Sequence, residues 1–135
     1  MAEQATSDFV GSWELESIEA RTEAGEWVPT SFSLGGQPVG LIMYDGRGNM
    51  AVQITSIPRS DATPGQSTEV VNGYAAYFGT YEVNAAAATV THHRRHHINP
   101  DLEGVSVVRH FHFSGNRLTL TVAPEKELRL SWVRI

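Results

Sequence analysis

The passage Thr91-His92-His93-Arg94-Arg95-His96-His97 gathers four imidazoles and two guanidinium groups in seven residues. Side chains of these types move protons near neutral pH, ligate metals and stabilise developing oxyanions. The Thr and Val residues before the run favour an extended strand, on which alternate residues share a face. His92, Arg94 and His96 then lie with the apolar Val90 and Ile98, while His93 and Arg95 lie with Thr89 and Thr91. The apolar markers predict that the first group points inward. On such a strand His92 and His96 stand ~13 Å apart at ~3.3 Å per residue, whereas two ligands of one zinc each sit ~2.1 Å from it. No metal site is predicted, and no cofactor. A solvated rim is the alternative reading of the same run.

The elements that must position this run are short. Apolar and polar residues alternate in brief stretches separated by turn residues, the pattern of an all-β chain. Trp13-Glu14-Leu15-Glu16 alternates and then slips near Ser17-Ile18, as a β-bulge would cause. Trp27-Val28-Pro29 reads as a short extended piece. Val39 to Tyr44 and Asn49 to Thr55 read as a hairpin around Asp45-Gly46-Arg47-Gly48. Pairing Tyr44 with Asn49 sets Met43 opposite Met50, Leu41 opposite Val52 and Val39 opposite Ile54 as one inward apolar face. Tyr44, Asn49, Gln53 and Thr55 then face out.

Ile57 to Gln66 reads as a loop, and Ser67 to Phe78 as a helix, with Ser67 as N-cap and Val70, Tyr74, Tyr77 and Phe78 at helical spacing. Further strands are expected over Tyr81 to Asn84, Ala88 to His97, Val105 to Phe113, Arg117 to Val122 and Leu128 to Ile135. Phe113 meets Leu118, Phe111 meets Leu120 and Arg109 meets Val122. The inward set continues past the turn Ala123-Pro124-Glu125-Lys126 to Leu128, Leu130 and Trp132. Eight strands and one short helix near an open end predict an antiparallel up-and-down barrel.

Inside such a barrel, Tyr81 pairs across a hairpin with His92, and Arg94 and Arg109 point inward. No acidic residue shares the inferred inward face of these strands. Buried charge persists when paired, wetted or used, so a ligand carboxylate, enol or phenolate would supply the missing negative charge. Bonding of Arg109 to backbone carbonyls at the barrel mouth is the alternative. The catalytic candidates are His92, Tyr81, Arg109 and Arg94. The binding candidates are Tyr74, Tyr77, Met43, Met50, Val52, His96, Phe111, Leu120 and Trp132. Ordinary helix packing is the alternative for Tyr74 and Tyr77. Phosphate loops, nucleophile elbows and dinucleotide fingerprints are missing from the sequence.

Composition narrows the field. The chain has 135 residues, enough for a single domain over 1–135, with residues 1–8 expected to be a flexible N-terminus. Hydrophobic residues make up 41% and charged residues 19%, which suits a folded chain. Fifteen acidic against ten basic residues give a net charge of −5, which argues against nucleic-acid binding. Cysteine is missing, so disulfides and thiolate chemistry are excluded. Neither a membrane span nor a signal peptide is visible, and a cytoplasmic location is expected. The polar outer face expected of the first hairpin leaves no large apolar patch, so oligomeric state stays open, a homodimer included.

Three stretches, Gly11 to Ile18 (GSWELESI), Pro38 to Gln53 (PVGLIMYDGRGNMAVQ) and Gly73 to His92 (GYAAYFGTYEVNAAAATVTH), together with the ending Leu130 to Arg134, resemble the small lipocalin-like domain family. The resemblance implies a calycin-type barrel with an internal cavity, in which Trp13 closes the floor and Arg134 packs over it. Related barrels serve as carriers or as cyclases. The first functional expectation is a cofactor-independent isomerase or cyclase acting on a small hydrophobic oxygenated molecule, enolisable or phenolic. In it His92 moves a proton, Tyr81 hydrogen-bonds a carbonyl and an arginine stabilises the oxyanion. The alternative is a non-catalytic intracellular binding protein for a small hydrophobic ligand. A partner module with a filled interior is the third.

Overall fold

Period-two alternation puts one side of each strand in the core and the other in solvent, so the strands must curl into a sheet that hides one face. The computed structural model describes residues 2–31, 34–59, 67–122 and 127–135. Helix α1 (Ala2–Phe9) precedes β1 (Gly11–Arg21), β2 (Trp27–Pro29), β3 (Gln37–Tyr44), β4 (Asn49–Ile57) and β5 (Ala75–Asn84). After these come β6 (Thr89–His97), β7 (Ser106–Ser114), β8 (Arg117–Val122) and β9 (Leu128–Arg134), with a 3₁₀ turn at Pro100–Leu102 between β6 and β7. All neighbours pair antiparallel, and β9 returns to β1 from Trp13↔Arg134 to Ala20↔Leu128, which closes an eight-stranded barrel; β2 is an extra strand on β1. The expected bulge in β1 lies between Leu15 and Ser17.

One end of the barrel is filled. Phe9 is fully buried at the end of α1, its ring centroid 5.1 Å from Tyr44 and from Phe111 and 5.0 Å from Phe113. Trp13 donates its indole N–H to Phe9 O at 2.9 Å, and the Arg134 guanidinium lies 4.1 Å from the indole centroid. Arg134 also donates to Asp8 O and Val10 O, binding the helix end to the last strand. Gly11, at φ +138°, makes this contact possible, because a Cβ there would stand 2.6 Å from Arg134 Nη1.

Three sequence expectations about elements are corrected. Residues 75–78 belong to β5, and residues 67–74 form turns, so no helix spans 67–78. Asn72 and Gly73, both at positive φ, make a two-residue turn between Val71 and Tyr74 that breaks the apparent helical spacing. In the β3–β4 hairpin Tyr44 pairs with Met50, not Asn49, because the connection takes one more residue, with Gly48 at φ +88°. That single step turns the β3 side chains over, while β4 keeps its expected inward set of Met50, Val52 and Ile54. Ile42, Tyr44, Met50, Val52 and Ile54 face in, while Leu41 and Met43 face out and leave an apolar outer strip where a polar one is expected.

The third correction concerns β6. Its pairing with β5 runs Gly79↔Arg94 and then Phe78↔His96, which leaves Arg95 as a bulge. Parity therefore flips, so that His97 is buried and His96 is exposed. By contrast, the β7–β8 register is the expected one, Phe113↔Leu118, Phe111↔Leu120 and Arg109↔Val122. The expected turn at 123–126 and most of the expected loop at 57–66 lie outside the described residues. No helix among the described residues is long and apolar enough to cross a membrane.

Candidate functional site

Above the aromatic floor the barrel is hollow. A cavity of about 330 Å³ is lined by Ile42, Val52, Ile54, Leu120, Leu130 and Trp132, with Val107, Val122, Leu128 and Ala75. Its polar lining consists of Ser67, Glu69, Tyr77, His92 and Arg109. Strand parity explains the mixture. The inward positions of β6 are Val90, His92 and Arg94, and those of β7 include Val107 and Arg109.

His92, 1% exposed, stands between two phenols. Tyr44 Oη is 2.7 Å from its Nε2 and Tyr77 Oη is 2.7 Å from its Nδ1. Burial, with Arg109 and Arg94 nearby, lowers the His92 pKa from its ordinary 6.5 to about 3, so the ring is neutral at physiological pH. A neutral imidazole has one N–H and one bare nitrogen. Tyr44 is buried and His92 is the hydroxyl's hydrogen-bond partner among the described residues. Leaving its O–H unpaired would cost about 1–3 kcal/mol. The lower-energy arrangement has Tyr44 O–H donating to Nε2 and Nδ1–H donating to Tyr77 Oη. The Tyr77 proton is then left to point elsewhere. Burial also raises the pKa of both phenols, Tyr44 well above its ordinary 10, so both stay protonated.

Arg94 is equally buried but paired. Its Nη1 donates to Glu69 Oε1 at 2.6 Å and its Nε to Val105 O at 2.9 Å, and its guanidinium lies 5.0 Å from the Tyr77 ring centroid. The same Glu69 oxygen accepts from His97 Nε2 at 2.9 Å; Asn99 N–H donates to His97 Nδ1, which fixes this tautomer. Arg94 thus has a protein carboxylate, contrary to the sequence expectation. Glu69 comes from the turn segment before β5, and its reach into the barrel has no signature in strand parity.

Arg109 differs. Among the described residues its hydrogen bond is a long, exposed one, 3.3 Å from Nη1 to the backbone carbonyl Val108 O, the kind of contact the alternative reading expects, and no carboxylate there pairs with it. It is the cation of the cavity lining without a counter-charge. No group of three or more His, Asp or Glu able to hold a metal occurs among the described residues.

The sequence-predicted residues divide accordingly. His92, Arg109, Tyr77, Val52, Leu120 and Trp132 line the cavity, and Arg94 is buried beside it. Tyr81 pairs with His92 along the strands, but its hydroxyl donates to Asp45 O at 2.7 Å and its ring packs against Phe9 and Tyr44 at the filled end. Phe111 belongs to the same plug, and Met50 is buried in the core without lining the cavity. Met43, Tyr74 and His96 lie outside the barrel: Met43 through the hairpin register, His96 through the Arg95 bulge. Tyr74 precedes β5 and donates to Gln53 Oε1 on the outer face. Tyr44 and Glu69 were missed.

One solved structure and one family model agree with this architecture. A lipocalin-like protein from Bacteroides uniformis ATCC 8492 superposes with a TM-score of 0.53 at 13% identity, over 95% of this chain and 99% of that one. A redesigned β-barrel gives 0.46 at 13% identity, over 97% and 95%. A point mutant of the fluorescent protein UnaG gives 0.43 at 12% identity, over 96% and 97%. No curated protein matches the chain. The family model of the lipocalin-like domain matches residues 10–133, nearly the whole barrel, and the chain belongs to that family.

Proposed function

We propose that the barrel is a chamber for one small, largely apolar, oxygen-bearing molecule. The observation that carries this reading is the half-filled interior: an aromatic plug below, and above it about 330 Å³ of mainly apolar wall with Tyr77 and Arg109 in it. Trp132 lines the cavity, which makes its indole a reporter of an occupant.

A second reading is that the chamber isomerises or cyclises its occupant without a cofactor. What favours it is the presence of two donors, the Tyr77 hydroxyl and the Arg109 guanidinium, in the lining of one cavity, where they would stabilise an enolate. In this version Tyr77 takes the part expected of Tyr81, and His92 acts through Tyr77 because both its ring nitrogens are occupied.

The test is titration of intrinsic fluorescence with the neutral dye Nile red, in the native protein and in Trp132→Phe. Saturable quenching at one dye per chain, largely lost in the variant, is expected. No saturable binding would overturn the reading. Incubation with enolisable diketones and phenols, followed by mass spectrometry and chromatography, separates catalysis from storage, since only catalysis yields a new isomer.

A further inference from the structure

We infer that Tyr77 and Arg109 form an oxyanion hole that takes a phenol or a 1,3-diketone as its anion, with Tyr44 and His92 as positioning residues that fix Tyr77 as the donor. This rests on the binding reading above and names the ligand class for the same cavity.

Directionality is the core of the argument. The Tyr44–His92–Tyr77 chain has two hydrogen bonds, and only one polarity satisfies the buried Tyr44 hydroxyl. Its proton goes to Nε2, the ring's single proton goes to Tyr77 Oη, and Tyr77 must send its own proton outward. Tyr77 lines the cavity, so an acceptor there is favoured over a donor. Hydrogen bonds in such a chain polarise one another, which strengthens the last donor.

Charge points the same way. The charged residues lining the cavity are Glu69 and Arg109, and Glu69 is already bonded to Arg94 and His97. Arg94 and Glu69 offset one another, which leaves Arg109 as the net positive charge. A phenol entering this field gives up its O–H proton to solvent and stays as phenolate; a 1,3-diketone, comparably acidic, loses its central Cα proton to solvent or buffer and stays as enolate. Neither event needs a co-reactant. A carboxylate would also satisfy the charge, but the single Tyr77 donor and the apolar remainder of the wall fit one oxygen on a ring or chain.

The experiment uses 4-nitrophenol, whose yellow anion is read directly, with the intact chain across a pH series. Bound probe should ionise about one pH unit or more below free probe, a tenfold excess of anion. Arg109→Gln should abolish the shift. Tyr77→Phe and Tyr44→Phe should each reduce it; the second acts without touching the probe, because Nδ1 is then free to accept the Tyr77 proton. Circular dichroism and melting confirm that each variant is folded, and Arg109→Lys, which keeps the charge, should restore most of the shift. Binding with unchanged ionisation overturns the oxyanion hole and leaves the chamber reading standing, as Nile red binding would show. A shift insensitive to Tyr44→Phe overturns the positioning role. Failure of both probes to bind overturns the chamber reading itself.

Discussion

His92 shows how burial sets the chemistry of a residue. Its ring stays neutral in the fold down to about pH 3, whereas in the unfolded chain it gains a proton below about 6.5. The unfolded state therefore binds the extra proton between these values, and stability falls as pH drops through that window, by about 1.4 kcal/mol per unit. His92→Gln removes the titration while keeping a donor and an acceptor. Between pH 6.5 and 4.5 its unfolding free energy should fall by roughly 2 to 3 kcal/mol less than that of the native chain. Urea midpoints at closely spaced pH values measure this. Asp45, Glu16 and Glu103, whose carboxyls are held below their ordinary range chiefly by hydrogen bonds to Asn49, Arg117 and His96, act at lower pH and equally in both proteins. Parallel curves would mean that the buried imidazole is protonated in the fold.

At the scale of elements, glycine decides where the pattern shifts. Gly79 faces the β6 bulge, and a Cβ there would fall on His93 O, a backbone atom that cannot turn aside. Gly79→Ala should cost roughly 3 kcal/mol or more, and it should move His97 away from Glu69, which calorimetry and histidine NMR shifts would report. A loss under about 1 kcal/mol would show that the bulge tolerates a side chain. The same devices explain what was legible in the sequence. The β7–β8 register was readable because Gly115-Asn116 is a two-residue turn, and it carried Arg109 and Leu120 to the inside. The β3–β4 register was not, because the connection takes in Asn49 beyond the expected 45–48, and Tyr44 was lost with it. His96 exchanged places with His97 for a similar reason. Glu69 could not be read at all: a turn residue's reach depends on tertiary packing, not on period.

At the scale of the molecule, stability and binding are divided between the two ends of one barrel. The lower end is a close-packed aromatic plug whose centre, Phe9, arrives from outside the barrel on α1 and is held by Trp13 and Arg134. The upper end leaves apolar wall uncovered by protein and places donors among it. Phe9→Ala tests whether the plug sets both the stability and the depth of the chamber. Removing a fully buried ring should cost about 3–5 kcal/mol, the lost transfer energy plus that of the space left behind. That space adjoins Tyr44 and Phe111, below the cavity, so the chamber should deepen toward the floor. In a series of linear alkanols, affinity should keep rising to a longer chain in Phe9→Ala than in the native protein, in parallel with the lower melting temperature. An unchanged length limit in a destabilised variant would mean that the neighbouring rings collapse into the gap. The floor would then be a stability element that plays no part in choosing the ligand.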